Sequence, residues 1–440
     1  MTGRRALPMA ADHRPGLDAT IPYLDGVYLA VNAIPDAYLV HDAHDCGYHK
    51  AERVAANHDL FSDLLRWEKM GRVVRTGLES REYIMGSEDK LSKKVLQVCS
   101  RYNPAILVVA PSSIVAAIGN IDPAVLDDLR RKTGVPIVEI ASAGLWRDHL
   151  SGYFDTLEAI SGALPARPPG SGATWVVGYL MDRNEGDHTG NVAEIRRMLE
   201  AVGIDPGPVL LDGTRFRDLC GFLAPRAVVE LAGSGRAAAI VAGRHGATHV
   251  KTDIPIGIAG TIAWIETVAD RLGGGKDAAR VLVDREMADL APRLQWILPR
   301  HFVGRSALVF ADRVLLAPLV RFLEELGCAV RAVGCLSSPA TGEADIGLSP
   351  EKYPVVATDL TSLRSLFERM AGEPDPPLLF GNTLVVQAAS DLKIASVEIG
   401  FPSATHHALT MRPFLGFAGV RTLVERAVNA IASAELRQAW

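Results

Sequence analysis

Five cysteines, at positions 46, 99, 220, 328 and 335, are the side chains best suited to hold iron or to carry redox chemistry. None forms a CxxC pair, and neither a zinc spacing nor a complete four-cysteine cluster motif is present. Cys46 stands apart. It lies in HDAHDCGYHK (residues 41–50), directly after Asp45 and among His41, His44 and His49. Imidazoles titrate near neutral pH, so these three could hydrogen-bond cluster sulfurs or supply protons; they read equally well as loop or interface residues. One thiolate cannot hold an iron cluster alone. Taken by itself, Cys46 also reads as a small buried thiol. Cys99, Cys220, Cys328 and Cys335 have apolar neighbours in helix or strand patterns and read as packed core.

Other chemistry has less support. GSGRAAAIVAGRHG (233–246) does not read as opening a strand–GxGxxG–helix unit. GGGK (273–276) lacks the P-loop pattern, so ATP is not expected to bind here. His406 and His407 read as interface or loop-fixing residues.

The elements that must position these groups follow a strand–loop–helix rhythm. AYLV (37–40), AILVVA (105–110) and VPIVEIA (135–141) have the length and β-branching of buried parallel strands. EDKLSKKVLQVCSRY (88–102) is an amphipathic helix pattern between them. A Pro- and Gly-rich stretch, ARPPGSGAT (166–174), marks a boundary. A second series starts at WVVGYL (175–180), and a third near Arg300 with GRSALVFAD (304–312). Later strands are expected at VVAT (355–358), PLLFG (377–381) and ASVEIG (395–400). The expected fold class is α/β, with three doubly wound parallel-sheet, Rossmann-like domains at 1–165, 166–299 and 300–440, the last with a closing C-terminal helix. In such sheets ligands lie beyond the carboxyl ends of the strands. The loops of interest are therefore 41–50, 111–121, 142–146, 181–191 and 401–419.

The bulk numbers set outer limits. A chain of 440 residues is too long for one compact core, and 48% hydrophobic with 22% charged residues is ordinary for a soluble globular protein. A formal charge of -5 argues against general nucleic-acid binding. No apolar run reaches the ~20 residues needed to span a bilayer. The N-terminal MTGRRALPMAADHRPG lacks the apolar segment of a signal peptide, so a cytoplasmic location is expected.

Read in order, these loops resemble the component 1 superfamily of nitrogenase. That superfamily includes the nitrogenase α and β subunits, cofactor scaffolds, and the dark-operative protochlorophyllide and chlorophyllide reductases. The similarity is carried by HDAHDCGYHK, by MGSEDKLSKKVLQVCSRYNPAILVVAPSSIVAAIGNI (85–121), by GVPIVEIASAGL (134–145), and by GRSALVFAD with FLEELG (322–327). Gly381-Asn382 and IGFPSATHHALTMRPFLGFAG (399–419) resemble its closing motifs.

The resemblance implies a β-like subunit. The family's cofactor-binding α subunits use a middle-domain cysteine and a C-terminal histidine; here the matching positions read AAAIVAG (237–243), taken as a strand, and Leu415. Of three cluster-cysteine positions in a nitrogenase β subunit, the first falls on Ile21, the second on Cys46 and the third on Ser113. The pattern that remains resembles subunits giving one ligand to a [4Fe–4S] cluster shared with an α-type partner. Asp45 is the alternative ligand and Ser113 a further one. The implied partners are an α-type subunit, in a heterotetramer, and a separate ATP-dependent iron protein as electron donor. A non-catalytic scaffold for cluster assembly, and a subunit that has lost its cluster, remain as alternatives. The substrate is left open.

Overall fold

A computed structural model describes residues 21–44, 47–55, 57–65, 71–118, 121–140, 147–167, 172–231, 233–337 and 347–439. Twelve strands among these residues form three four-stranded sheets. The first contains β1 (Ala37–Asp42), β2 (Val73–Arg75), β3 (Ile106–Pro111) and β4 (Ile137–Glu139). The middle sheet contains β5 (Thr174–Val177), β6 (Pro206–Val209), β7 (Ala227–Glu230) and β8 (Thr248–Lys251). The third contains β9 (Ser306–Ala311), β10 (Ala329–Cys335), β11 (Leu378–Gly381) and β12 (Ala395–Glu398). Strand order repeats: β2-β1-β3-β4, β6-β5-β7-β8, and β10-β9-β11-β12. Every pairing is parallel. The expected α/β class with three doubly wound parallel sheets is thus the observed one.

The central strands show why. Every residue of β3, ILVVAP, is buried, as a parallel strand covered on both faces requires. Helices supply the cover, and some start on a side-chain cap: Asp148 accepts the Ser151 amide at 2.9 Å and Asp359 accepts the Ser362 amide at 2.9 Å. One continuous apolar core runs through all three sheets, from Val27 and Val108 through Val177 and Val229 to Val309, Phe380 and Leu423. Two smaller cores lie on the other faces of the first and third sheets. Helices Tyr23–Asn32 and His149–Ala163 pack together over a long contact. Their backbones meet at two glycines. A Cβ on Gly26 would lie 1.7 Å from the His149 carbonyl oxygen, and one on Gly152 would lie 2.0 Å from that of Tyr23.

Three expectations need correction. AAAIVAG is not a strand but part of helix Gly235–His245, so Ala237 and its neighbours form no strand-end ligand position. GSG (233–235) does sit between a strand, β7, and that helix. Its tightness has a packing cause: a Cβ on Gly233 would come within 2.8 Å of the Phe154 ring. VVAT (355–358) is no strand; only Val355 bridges to Val333. The lead-in at 1–16 lies outside the described residues.

Candidate functional site

Chain direction makes the first sheet the natural place to look. From β1 the chain crosses to β2 on one side, and from β3 it crosses to β4 on the other. The carboxyl ends of β1 and β3 therefore flank the point where strand order reverses, where open α/β sheets bind ligands. Asp42 and Pro111, the last residues of these strands, are register partners, and the Ser112 amide donates to the Asp42 carbonyl at 2.9 Å. Residues 43–44 and Ser113 thus leave adjacent strand ends. The Ala43 amide donates to Thr76 Oγ1 at 3.1 Å, and its carbonyl accepts the Gly77 and Leu78 amides at 3.0 and 3.1 Å. Beneath the loop, Asp42 accepts the Ser87 hydroxyl at 2.5 Å. Burial raises this carboxyl above its ordinary value, against the pull of Ser87 and Thr76.

Cys46 and Asp45 lie outside the described residues. Ser113 opens helix Ser113–Ile118, and its hydroxyl makes no hydrogen bond among the described residues. The histidines do not share one surface. His41 is buried in β1, with Nδ1 3.2 Å from Tyr28 Oη. His44 is exposed, and its amide donates to Tyr83 Oη at 3.2 Å. The side chain of His49 lies outside the described residues. Ile21, expected from the resemblance at the first cluster-cysteine position, is buried, and its carbonyl accepts the His149 amide at 3.0 Å. Around the loop, large apolar side chains face outward: Ile84 is 80% exposed, Met85 77% and Ile114 58%. Among the described residues, no three His, Cys, Asp or Glu side chains gather as metal ligands.

Sequence reasoning missed a second feature, a buried polar knot tying all three sheets together. It joins segments 58–62, 181–191 and 401–415. Arg183 is only 2% exposed. Its Nε bonds both Asp187 oxygens at 3.1 and 3.0 Å, and its Nη1 donates to the carbonyls of His406 and Ser403 at 3.0 and 3.3 Å. Asp182 lies 2.7 Å from His188 Nε2 and 3.4 Å from His58 Nε2. Burial alone would raise the Asp182 carboxyl, but the two imidazoles hold it well below the usual range. The same contact outweighs burial at His188 and lifts that imidazole above its ordinary value.

The knot's remaining bonds fix its loops. His58 Nδ1 accepts the Ser403 amide at 2.8 Å, which puts the ring proton on Nε2, facing the Asp182 carbonyl at 2.8 Å. Asn191 donates to Tyr179 Oη at 2.8 Å, and that hydroxyl stands 2.8 Å from His188 Nδ1. Asn191 Oδ1 also accepts the amides of Phe414 and Leu415, at 2.7 and 2.9 Å. Leu415, at the position of the family's ligand histidine, is fully buried. Glu185 takes His407 Nδ1 and the Ala408 amide, both at 2.8 Å. His406 presents its carbonyl to Arg183, and its ring is pushed down to about 4 by burial, with Arg426 and Arg183 adding to the shift. The sequence signals of this knot were the charge density of MDRNEGDH (181–188), directly after a buried strand, and the placing of 181–191 and 401–419 among the strand-end loops.

The other cysteines are free thiols, each packed on the apolar core. Burial pushes Cys328 up to about 12, far from thiolate chemistry.

Three repeated parallel α/β sheets, with a loop site at the first switch point, define a class. Within that class the assignment is specific. The sequence model of the family described as "Nitrogenase component 1 type Oxidoreductase" matches residues 23–432, and the chain belongs to that family. It is 25% identical to the nitrogenase molybdenum-iron protein beta chain of Frankia alni over 395 residues, 81% of this chain and 72% of that protein. It is 24% identical to the iron-molybdenum cofactor biosynthesis protein NifE of Clostridium pasteurianum over 318 residues, 70% of this chain and 66% of NifE. A match to one of the light-independent protochlorophyllide reductase polypeptides of Chloroflexus aurantiacus, at 26%, spans 53% of this chain and 45% of that polypeptide. The solved structure described as Nitrogenase Cp1 at pH 6.5 superposes with a TM-score of 0.77 at 17% identity, covering 99% of this chain and 96% of that one. Among the described residues, no helix is long and apolar enough to cross a membrane.

Proposed function

We propose that this chain is the β-like subunit of a nitrogenase-like two-component reductase. On this reading Cys46 gives one thiolate to a [4Fe–4S] cluster shared with an α-type partner. The observation that carries it is the pairing of the β1 and β3 ends, which brings the start of the Cys46 loop beside Ser113 at the switch point of the first sheet. Exposed Ile84, Met85 and Ile114 beside that loop suit a surface covered by another subunit. On this reading the remaining ligands come from the partner. The cluster, when bound, supplies one-electron chemistry. This chain's part is to present Cys46 three residues after Ala43, which Thr76, Gly77 and Leu78 pin, and to bury the site against the partner. ATP belongs to a separate iron protein that delivers the electron.

Iron content and low-temperature EPR of the anaerobically co-purified, dithionite-reduced complex test this. Cys46→Ala should lose most of the iron and the signal, while Cys220→Ala keeps both, because alanine offers iron no donor. A wild-type signal in Cys46→Ala would move the ligand to Asp45 or Ser113. A signal surviving replacement of all three would end the shared-cluster reading, and an iron-free wild-type complex would favour a subunit that has lost its cluster. The likeness to NifE supports a second reading, an assembly scaffold. Turnover of an organic substrate with iron protein and ATP separates the two.

A further inference from the structure

Two helix starts, one following the first sheet and one following β9 of the third, face each other across a buried seam. Helix His149–Ala163 begins after Asp148, and helix Arg313–Glu325 begins after Asp312. Their first residues pair crosswise. Asp148 Oδ2 accepts Arg313 Nη1 at 2.7 Å, and Asp312 Oδ2 lies 3.3 Å from His149 Nε2. The same two residues also hold the chain just before helix Tyr23–Asn32. The His149 amide donates to the Ile21 carbonyl, and Asp148 bridges to Pro22.

The two pairs are not equivalent. Asp148 also accepts the amide and hydroxyl of Ser151, at 2.9 and 2.7 Å, so its pair with Arg313 sits in a hydrogen-bonded frame. Arginine keeps its charge throughout the range in which proteins are folded. The His149–Asp312 pair is held by charge instead: His149 Nδ1 and Asp312 Oδ1 make no hydrogen bond among the described residues, and both side chains are buried. Three carboxylates act on the ring: Asp312 from the third sheet, Asp148 from its own helix start, and Asp25 from helix Tyr23–Asn32. Arg313 balances Asp148, and Arg53 balances Asp25 at 2.8 Å, which leaves Asp312 to His149. Phe401, its ring 5.5 Å from the imidazole, brings no charge. Burial opposes protonation of His149, as does the positive end of its own helix. The carboxylates outweigh both and hold the imidazole above its ordinary value of 6.5.

We propose that these crossed pairs form a proton-operated latch between the two helix starts, shut while His149 carries its proton and released when it loses it. Loss of the proton leaves Asp312 as an uncompensated charge out of water, and separating the helix starts relieves this by letting water reach the carboxylate. Opened, the ring titrates at its ordinary 6.5; closed, it titrates higher. The latch is therefore at full strength below pH 6.5 and weakens as pH rises through the closed-state value. The inference is independent of any cluster at Cys46.

Hydrogen exchange of the full-length chain, read by mass spectrometry from pH 6 to 9 and corrected to intrinsic rates, tests it. Protection of residues 147–153 and 310–316 should be constant below pH 6.5 and then fall by up to about tenfold per pH unit. His149→Gln/Asp312→Asn replaces the pair with uncharged polar side chains, and its protection should not vary over that range. His149→Gln alone leaves Asp312 uncompensated, and should be as poorly protected at pH 6 as the wild type is at pH 9. His188, whose imidazole is also raised, is untouched in these variants, so its contribution cancels. Wild-type protection that ignores pH, or a double variant that keeps the wild-type slope, would overturn the proposal. A neutron crystal structure of the wild type at pH 6.5 needs no variant to fold. Deuterium on both His149 ring nitrogens supports the latch, and a singly protonated ring overturns it.

Discussion

Arg183 illustrates how much one side chain can hold when it is buried. It neutralises Asp187 and donates to carbonyls from the third-sheet segment. Removing one partner of a buried ion pair leaves the other charge uncompensated, so Arg183→Met, which keeps the stem, should destabilise the protein by about 3–5 kcal/mol in urea unfolding. A loss under about 1 kcal/mol would mean that water or a neighbouring cation replaces it. His406 gives a pH-dependent counterpart. Its ring titrates near 4 when folded, against an ordinary value of 6.5, so the unfolded chain binds the extra proton first. Its contribution is complete above pH 6.5 and is lost as pH falls from 6.5 toward 4. The melting temperature of His406→Asn should therefore fall less steeply across that window than that of the wild type. A parallel slope would remove His406 from the account. The role of Arg183 was not legible in the sequence. A charged loop reads as solvent-facing unless the segments that cover it are known, and here they lie more than 200 positions away.

Elements differ in how plainly the sequence announces them. The strands AILVVA and SALVFA were legible because a buried parallel strand must be apolar along its whole length. β2 has only three residues, and β8 reads THVK with only one residue buried, so neither carries a pattern. AAAIVAG was misread because a short apolar run fits a buried helix as well as a strand. The close crossing of helices Tyr23–Asn32 and His149–Ala163 was equally invisible, since a glycine's need for contact cannot be read from its neighbours. Gly26→Ala places a methyl against backbone, which cannot rotate away, and should destabilise by at least about 1–3 kcal/mol. Gly162→Ala, on the same second helix with open space around it, should be neutral or stabilising by about 0.5–1 kcal/mol. Thermal unfolding of the two variants checks the contrast; equal effects would show that the helices separate at little cost.

At the scale of the molecule, family and fold class were recoverable from ordered loop motifs, because those motifs mark strand ends that recur at fixed places. The ends of β1 and β3 were recognisable for the same reason, and they are register partners at Asp42 and Pro111. The exposed apolar side chains beside the Cys46 loop carry the last prediction. Ile84→Asp/Met85→Asp/Ile114→Asp should abolish co-elution with the α-type partner on size exclusion. The melting temperature of the isolated chain should stay within a few degrees, because none of the three is buried. Intact co-elution would place the partner's surface elsewhere.

The polar knot also sets the order in which the protein can be made. His58 is held by Ser403, 345 positions later, and Asn191 by Phe414 and Leu415. A chain still on the ribosome can fold its first and middle sheets, but it keeps Arg183, Asp182 and His188 without their covering segment until residues 401–415 emerge. Truncated products therefore expose charges that the finished protein hides, and they lack the closing helix that packs on the third sheet. Such fragments are ready substrates for chaperones and proteases. Completion of synthesis and closure of the interior become one event.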